Sequence, residues 1–137
     1  MTSTRRTAAS KRLNWRINSE RMKVLLINGS PNQTGCTYTA LHEVETTLQA
    51  NGIETELLYL GKKPIAGCIA CGACMNTGHC FRDDLVQEIQ KRLDEFDAIV
   101  IGSPVYYSAP TGQLVSFLNR LFFATENRMA GKLGASV

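Results

Sequence analysis

The chain has 137 residues, 44% of them hydrophobic and 20% charged, with a formal net charge of +3. That balance suits one ordinary globular domain, and no apolar run approaches the ~18 residues that a membrane span needs. The charge is uneven: residues 1–21 hold six basic residues against Glu20 alone, whereas residues 22–137 hold nine basic and eleven acidic ones, so the body lacks the basic face of a nucleic-acid-binding domain.

Residues 1–21 are rich in Ser, Thr, Arg and Asn and have no apolar periodicity. They are expected to form a disordered basic tail. Residues 23–28 are apolar without alternation, as in a strand buried on both faces. A small-residue loop follows, from Asn28 to Thr37. A helix is expected over 37–50, with Leu41, Val44 and Leu48 at helical spacing and Asn51-Gly52 as its stop. Residues 54–60 alternate like a partly exposed edge strand. Residues 61–82 make a long loop. Asp83 or Asp84 can cap a helix reaching about residue 95, with Leu85, Val86, Ile89 and Leu93 inward. Residues 98–103 read as a third buried strand. A loop with two prolines and two tyrosines leads to a helix over 111–125, with Leu114, Val115, Leu118, Leu121 and Phe122 inward. Residues 132–137 look like the start of a fourth strand. The alternation predicts an α/β fold, a doubly wound parallel sheet with helices on both faces.

Three stretches carry chemistry. The first is Gly29-Ser30-Pro31-Asn32-Gln33-Thr34-Gly35-Cys36-Thr37. A strand that ends in such a loop and opens a helix presents unpaired N–H groups and the positive end of the helix dipole. Ser30, Thr34 and Thr37 add hydroxyls. There is no Lys, so the loop is not a nucleoside-triphosphate loop. It suits a single phosphate held by neutral donors, or a simple turn. The second stretch is Gly102-Ser103-Pro104-Val105-Tyr106-Tyr107, which a parallel sheet puts on the same edge as the first loop. With a phosphate on one loop and a flat ring on the other, the pair describes a nucleotide-like cofactor.

The third stretch is Cys68-x2-Cys71-x2-Cys74-x5-Cys80: four of the five cysteines within thirteen positions. No continuous apolar core of a secretory signal precedes them, so a metal or redox role in a reducing, cytoplasmic setting is expected before disulfides. The first three spacings match a ferredoxin-type 4Fe–4S run; zinc and free thiols are the other readings. His42 is expected on an outer helix face, and no Ser/His/Asp set is present.

Taken together, these motifs resemble the flavodoxin-like NAD(P)H-dependent FMN reductases. The stretch from Cys68 to Asp84 resembles the compact cysteine motif of the iron–sulfur flavoproteins in that superfamily. The resemblance covers residues 22–137. It implies a flavodoxin-like FMN-binding domain with a cysteine-rich loop over 66–82, in which Ser30, Asn32, Cys36 and Thr37 contact the FMN phosphate. It also implies that Pro104, Val105, Tyr106 and Tyr107 border the ring and ribityl chain, and that Cys68, Cys71, Cys74 and Cys80 bind a 4Fe–4S cluster. Such proteins take electrons from NAD(P)H, relay single electrons to a small-molecule or protein acceptor, and form dimers or tetramers. No residue is assigned a catalytic role, because the chemistry belongs to the flavin. The family loop commonly has Asn where this chain has Cys36. The family sheet has five strands in the order 2-1-3-4-5, so this chain is expected to stop at strand four and to leave strand 98–103 as an exposed apolar edge.

Overall fold

The computed structural model describes residues 22–137, apart from the side chains at positions 126 and 127. The tail expected over 1–21 lies outside the described residues. In chain order the elements are β1 (Lys23–Asn28), α1 (Cys36–Ala50), β2 (Glu54–Tyr59), a one-turn α2 (Cys74–Thr77), α3 (Leu85–Arg92), β3 (Ala98–Gly102), α4 (Gly112–Thr125) and β4 (Leu133–Ser136). Single 3-10 turns extend α3 over Leu93–Glu95 and α4 over Glu126–Met129. The four strands are parallel and ordered β2-β1-β3-β4, with Asn28 opposite both Tyr59 and Gly102. This is the flavodoxin-like order as far as four strands go.

The uniform hydrophobicity of β1 has a simple cause. Val24 and Leu26 pack with Leu41 of α1, Ala98 and Val100 on one face. Leu25 and Ile27 pack with Val86, Ile89, Leu114, Phe117 and Leu121 of α3 and α4 on the other. Alternate residues of a strand point to opposite faces, so a strand covered on both sides must be apolar throughout. Asp84 caps α3, its carboxylate accepting the Val86 N–H at 3.1 Å, a contact worth about 1 kcal/mol. None of the described helices is long and apolar enough to cross a membrane.

Two expectations are corrected. β3 is not an edge: β4 pairs with it from Leu133 to Ser136, and the outer position passes to β4, whose four residues are all exposed. On α4, Val115 and Phe122 are exposed, while Phe117 and Arg120 are buried. The buried stripe runs Leu114, Phe117, Leu121; Val115 and Phe122 lie one residue, about 100°, further round the helix. The long loop also contains a helical turn, α2.

At the amino end of the sheet, far from the loops, Lys23 meets Glu54 and Glu56, and Arg92 holds Glu56 and Glu95. These pairs join β1, β2 and α3.

Candidate functional site

β1 ends at Asn28, which is fully buried. Its Oδ1 accepts the Ser30 N–H at 3.0 Å and its Nδ2 donates to the Gln33 carbonyl at 3.3 Å. Ser30, also buried, accepts the Asn32 N–H at 3.1 Å. Tyr59 of β2 donates its hydroxyl to the Pro31 carbonyl at 2.8 Å. The loop is therefore held from below by β1 and from the side by β2. It enters α1 through Gly35, an N-cap with no side chain to offer, and the first turn carries no acidic residue. The first helical bond is Thr39 N–H to the Gly35 carbonyl, so the N–H groups of Cys36, Thr37 and Tyr38 precede it and have no partner within the helix. α3, in contrast, starts under the Asp84 carboxylate. An uncapped first turn beside a buried serine hydroxyl is chemically an anion site. Lys62, just beyond β2, lines the same polar hollow as Asn32, Gln33, Thr34 and Gly35. It brings a cation that the loop itself lacks, and its position after the next strand hides it from a motif search.

The second loop lies against the first. Gly29 donates its N–H to the Gly102 carbonyl at 2.9 Å. Only glycine fits at 102: a Cβ there would stand 2.7 Å from Leu41 Cδ1 and 2.8 Å from Thr37 Cγ2. The buried Thr111 ties the two together, donating Oγ1–H to the Gly29 carbonyl at 2.8 Å and accepting the Leu114 N–H at 3.3 Å. Ser103 Oγ accepts the Thr111 N–H at 3.1 Å. Beyond it, Tyr106 and Ala109 exchange backbone bonds of 2.8 and 3.1 Å around Tyr107 and Ser108, which have φ of +51° and +62°. Two central residues in the left-handed region make a tight primed turn, at a cost of about 1 kcal/mol each for non-glycine residues. The turn leaves Val105, Tyr106 and Tyr107 exposed, Tyr107 completely. Apolar and aromatic surface thus faces water next to the anion site, where a flat ring would cover it.

The cysteine loop leaves the same sheet edge and descends along α4. Gln113 donates to the Leu60 and Gly61 carbonyls at 3.2 and 2.7 Å, and Arg120 to the Ala66 carbonyl at 3.2 Å. Cys68, Cys71, Cys74 and Cys80 then line one pocket, bordered by Arg120 and Phe123 of α4. None of the four is in a disulfide. Cys80 is the best fixed: its N–H donates to Gln90 Oε1 at 2.7 Å and its carbonyl accepts Gln87 Nε2 at 2.8 Å. Gln90 in turn donates to the Arg120 carbonyl at 2.7 Å. Burial pushes the Cys74 thiol up, and the charges of Cys68, Cys71 and Cys80 push it further. Among the described residues, no three Cys, His, Asp or Glu side chains come close enough to share one metal ion. A tetrahedral zinc with bonds of about 2.3 Å would need its four sulfurs within about 4 Å of one another. As a donor set, four soft thiolates suit iron–sulfur or zinc chemistry.

The side chain beneath this pocket was not singled out by the sequence. Arg120 is 1% exposed and donates to both Asp84 oxygens, at 2.6 and 2.9 Å. Burial pushes the Asp84 carboxyl up, but the bonds from Arg120 and from the Gln87 and Val86 N–H groups outweigh it and hold it below the ordinary carboxylate range. Asp84 is thus both helix cap and counter-ion. Gln87 and Gln90 are also buried; two glutamines three residues apart inside an apolar stripe were the available signal. His42 is exposed, stacks on Tyr38 with ring centroids 5.5 Å apart and faces Glu45 at 3.3 Å.

Comparisons with known proteins bear on the family and the fold. Residues 22–137 match the sequence profile of the NADPH-dependent FMN reductases. An iron-sulfur flavoprotein of Methanocaldococcus jannaschii is 37% identical over 122 residues, covering 84% of this chain and 63% of that protein. One from Archaeoglobus fulgidus is 32% identical over 117 residues, covering 85% of this chain and 53% of its own length. The chain thus spans between about half and just under two thirds of these curated relatives. The crystal structure of a proposed quinone reductase from Klebsiella pneumoniae superposes with a TM-score of 0.57 at 16% identity, over 74% of this chain and 45% of that one. At that identity the likeness shows the shared fold.

Proposed function

The chain belongs to the NADPH-dependent FMN reductase family, and from that premise we propose that it is an FMN-dependent oxidoreductase or electron carrier of the iron–sulfur flavoprotein kind. The observation that carries the proposal is the juxtaposition at the β1–β3 edge. There the uncapped first turn of α1 and the exposed apolar turn after β3 stand side by side. Ser30, Asn32, Cys36 and Thr37 are the phosphate holders in this reading, with Lys62 adding positive charge. Pro104, Val105, Tyr106 and Tyr107 border the ring. Asn28, Tyr59 and Thr111 keep both loops in place before any ligand arrives, which lowers the entropic cost of binding.

Cys68, Cys71, Cys74 and Cys80 hold a 4Fe–4S cluster in the same reading. Their soft thiolates, gathered on the lining of one pocket, support it. When bound, FMN supplies hydride and single-electron chemistry that no side chain here offers. NAD(P)H is the proposed donor, and the acceptor is a small molecule or a redox protein. The free thiols suit a reducing cytoplasm. A full-length family member is proposed to form a homo-oligomer, and the exposed Val115, Phe122 and Phe123 on α4 are apolar surface that such an association would cover.

An absorption spectrum of protein purified without oxygen tests this. The expected result is two resolved flavin bands over a broad shoulder that bleaches on reduction. Flavin bands alone would leave a plain FMN reductase, and colourless protein would leave a thiol or metal module with no flavin.

A further inference from the structure

Arg120 sits where a cation is hardest to keep. Its side chain is 1% exposed and lines the pocket formed by the four cysteines. Two of its three nitrogens serve Asp84 and the Ala66 carbonyl; the third, Nε, is buried with no hydrogen-bond partner. Orphaned buried donors are rare, and besides Asp84 the side chain that faces this guanidinium is the Cys80 thiol of the pocket. The main chain of Arg120 reaches Cys80 as well, since Gln90 bridges the Arg120 carbonyl and the Cys80 N–H.

We infer that Arg120 is the positioning cation of the four-cysteine pocket, held by Asp84 so that its guanidinium offsets the negative charge gathered there and raises the reduction potential of the metal centre. This rests on the reading of the four cysteines as cluster ligands. Four thiolates bring four negative charges, and each electron accepted adds one more. A buried cation stabilises the reduced form more than the oxidised one, and net charge and donors to sulfur are among the factors that set such potentials. Arg82 lines the same pocket, but it is half-buried and stacks on the exposed Phe81 ring at 5.2 Å. Solvent screens it, so it has a lesser part.

The experiment is anaerobic reconstitution with ferrous iron and sulfide. Iron and sulfide per chain are then measured, followed by an EPR-monitored redox titration with dithionite. Arg120→Met should lower the potential, changing the reduced-to-oxidised ratio at fixed potential by roughly tenfold, or about 59 mV for a one-electron couple. Asp84→Asn keeps a capping side chain and removes the counter-charge, so it should shift the ratio the other way. Arg120→Lys should stay within about threefold of the wild type, and so should Arg82→Met. General loosening of the pocket would move Arg120→Met and Asp84→Asn in the same direction; opposite signs report charge. If Arg120→Met does not fold, Arg120→Gln, which keeps hydrogen-bonding groups without the charge, takes its place in the comparison and should lower the potential. Iron bound with both potentials unchanged, or both shifted alike, overturns the inference alone. Wild-type protein that takes up no iron overturns the cluster reading, and the inference with it.

Discussion

Gly102→Ala tests the contact that brings together the two loops proposed to hold FMN. The new Cβ would stand 2.7 Å from Leu41 Cδ1, 2.8 Å from Thr37 Cγ2 and 2.9 Å from Leu41 Cγ. Ordinary carbon contacts are about 3.5 Å or more, so the start of α1 must retreat by several tenths of an ångström. Neither neighbour yields cheaply: Leu41 is fully buried, and Thr37 is β-branched and stiff at χ1. Overpacking of this kind costs about 1–3 kcal/mol. Taken at 2 kcal/mol, the urea midpoint should fall by about 1 M at unchanged slope. The melting temperature should fall by roughly 6–12 °C. Leu41→Ala alone should cost about 2–5 kcal/mol. In the double variant the two costs should fall short of their sum by about 1 kcal/mol, because the smaller side chain makes room. FMN affinity should drop together with stability, because the same displacement moves the N–H groups of Cys36 and Thr37. A change within about 0.5 kcal/mol, or strictly additive costs, would refute the packing argument. Lost stability with unchanged FMN affinity would refute the placement of the phosphate at α1.

Tyr59→Phe removes the 2.8 Å bond to the Pro31 carbonyl; it should cost about 0.5–1.5 kcal/mol in denaturant melts and weaken FMN binding, as followed by fluorescence quenching. Ser108→Gly relieves a φ of +62° and should stabilise the protein by about 1 kcal/mol, read as a higher urea midpoint. Acid should destabilise the fold: Asp84 and Glu56 have depressed pKa values in the folded state, so their stabilisation is complete above the unfolded values near 4 and is lost as pH falls through the folded ones. Melting temperatures measured from pH 6 down to about 3 should fall throughout the lower part of that range, and in Asp84→Asn the fall should be shallower.

The sheet was legible because its strands are covered on both faces, which forces unbroken apolar runs such as Val24–Ile27. The two loops followed from their places after those strands. What stayed hidden depends on contacts distant in sequence. Arg120 reads as an ordinary surface arginine until Asp84, thirty-six residues earlier, is found beside it. Lys62 belongs to another connection from the loop it faces. On α4 the stripe of Leu114, Leu118 and Leu121 was legible, but its edge was not: Val115 and Phe122 are as apolar as Phe117, and hydrophobicity alone does not say which flank of the stripe meets the sheet. The place of the fourth strand followed from the strand order, but not that four residues, Leu133–Ser136, would already cover the edge of β3.

The central claim, that the turn opening α1 is a flavin-phosphate site, is tested most directly by titrating the protein with FMN and with riboflavin, which differ only in the phosphate. Two charge-assisted bonds from the first turn, at about 1.5 kcal/mol or more each, predict FMN binding at least roughly 100-fold tighter, with the gap narrowed by Ser30→Ala and Thr37→Val. Equal affinity for the two flavins, or binding of neither, would contradict the account.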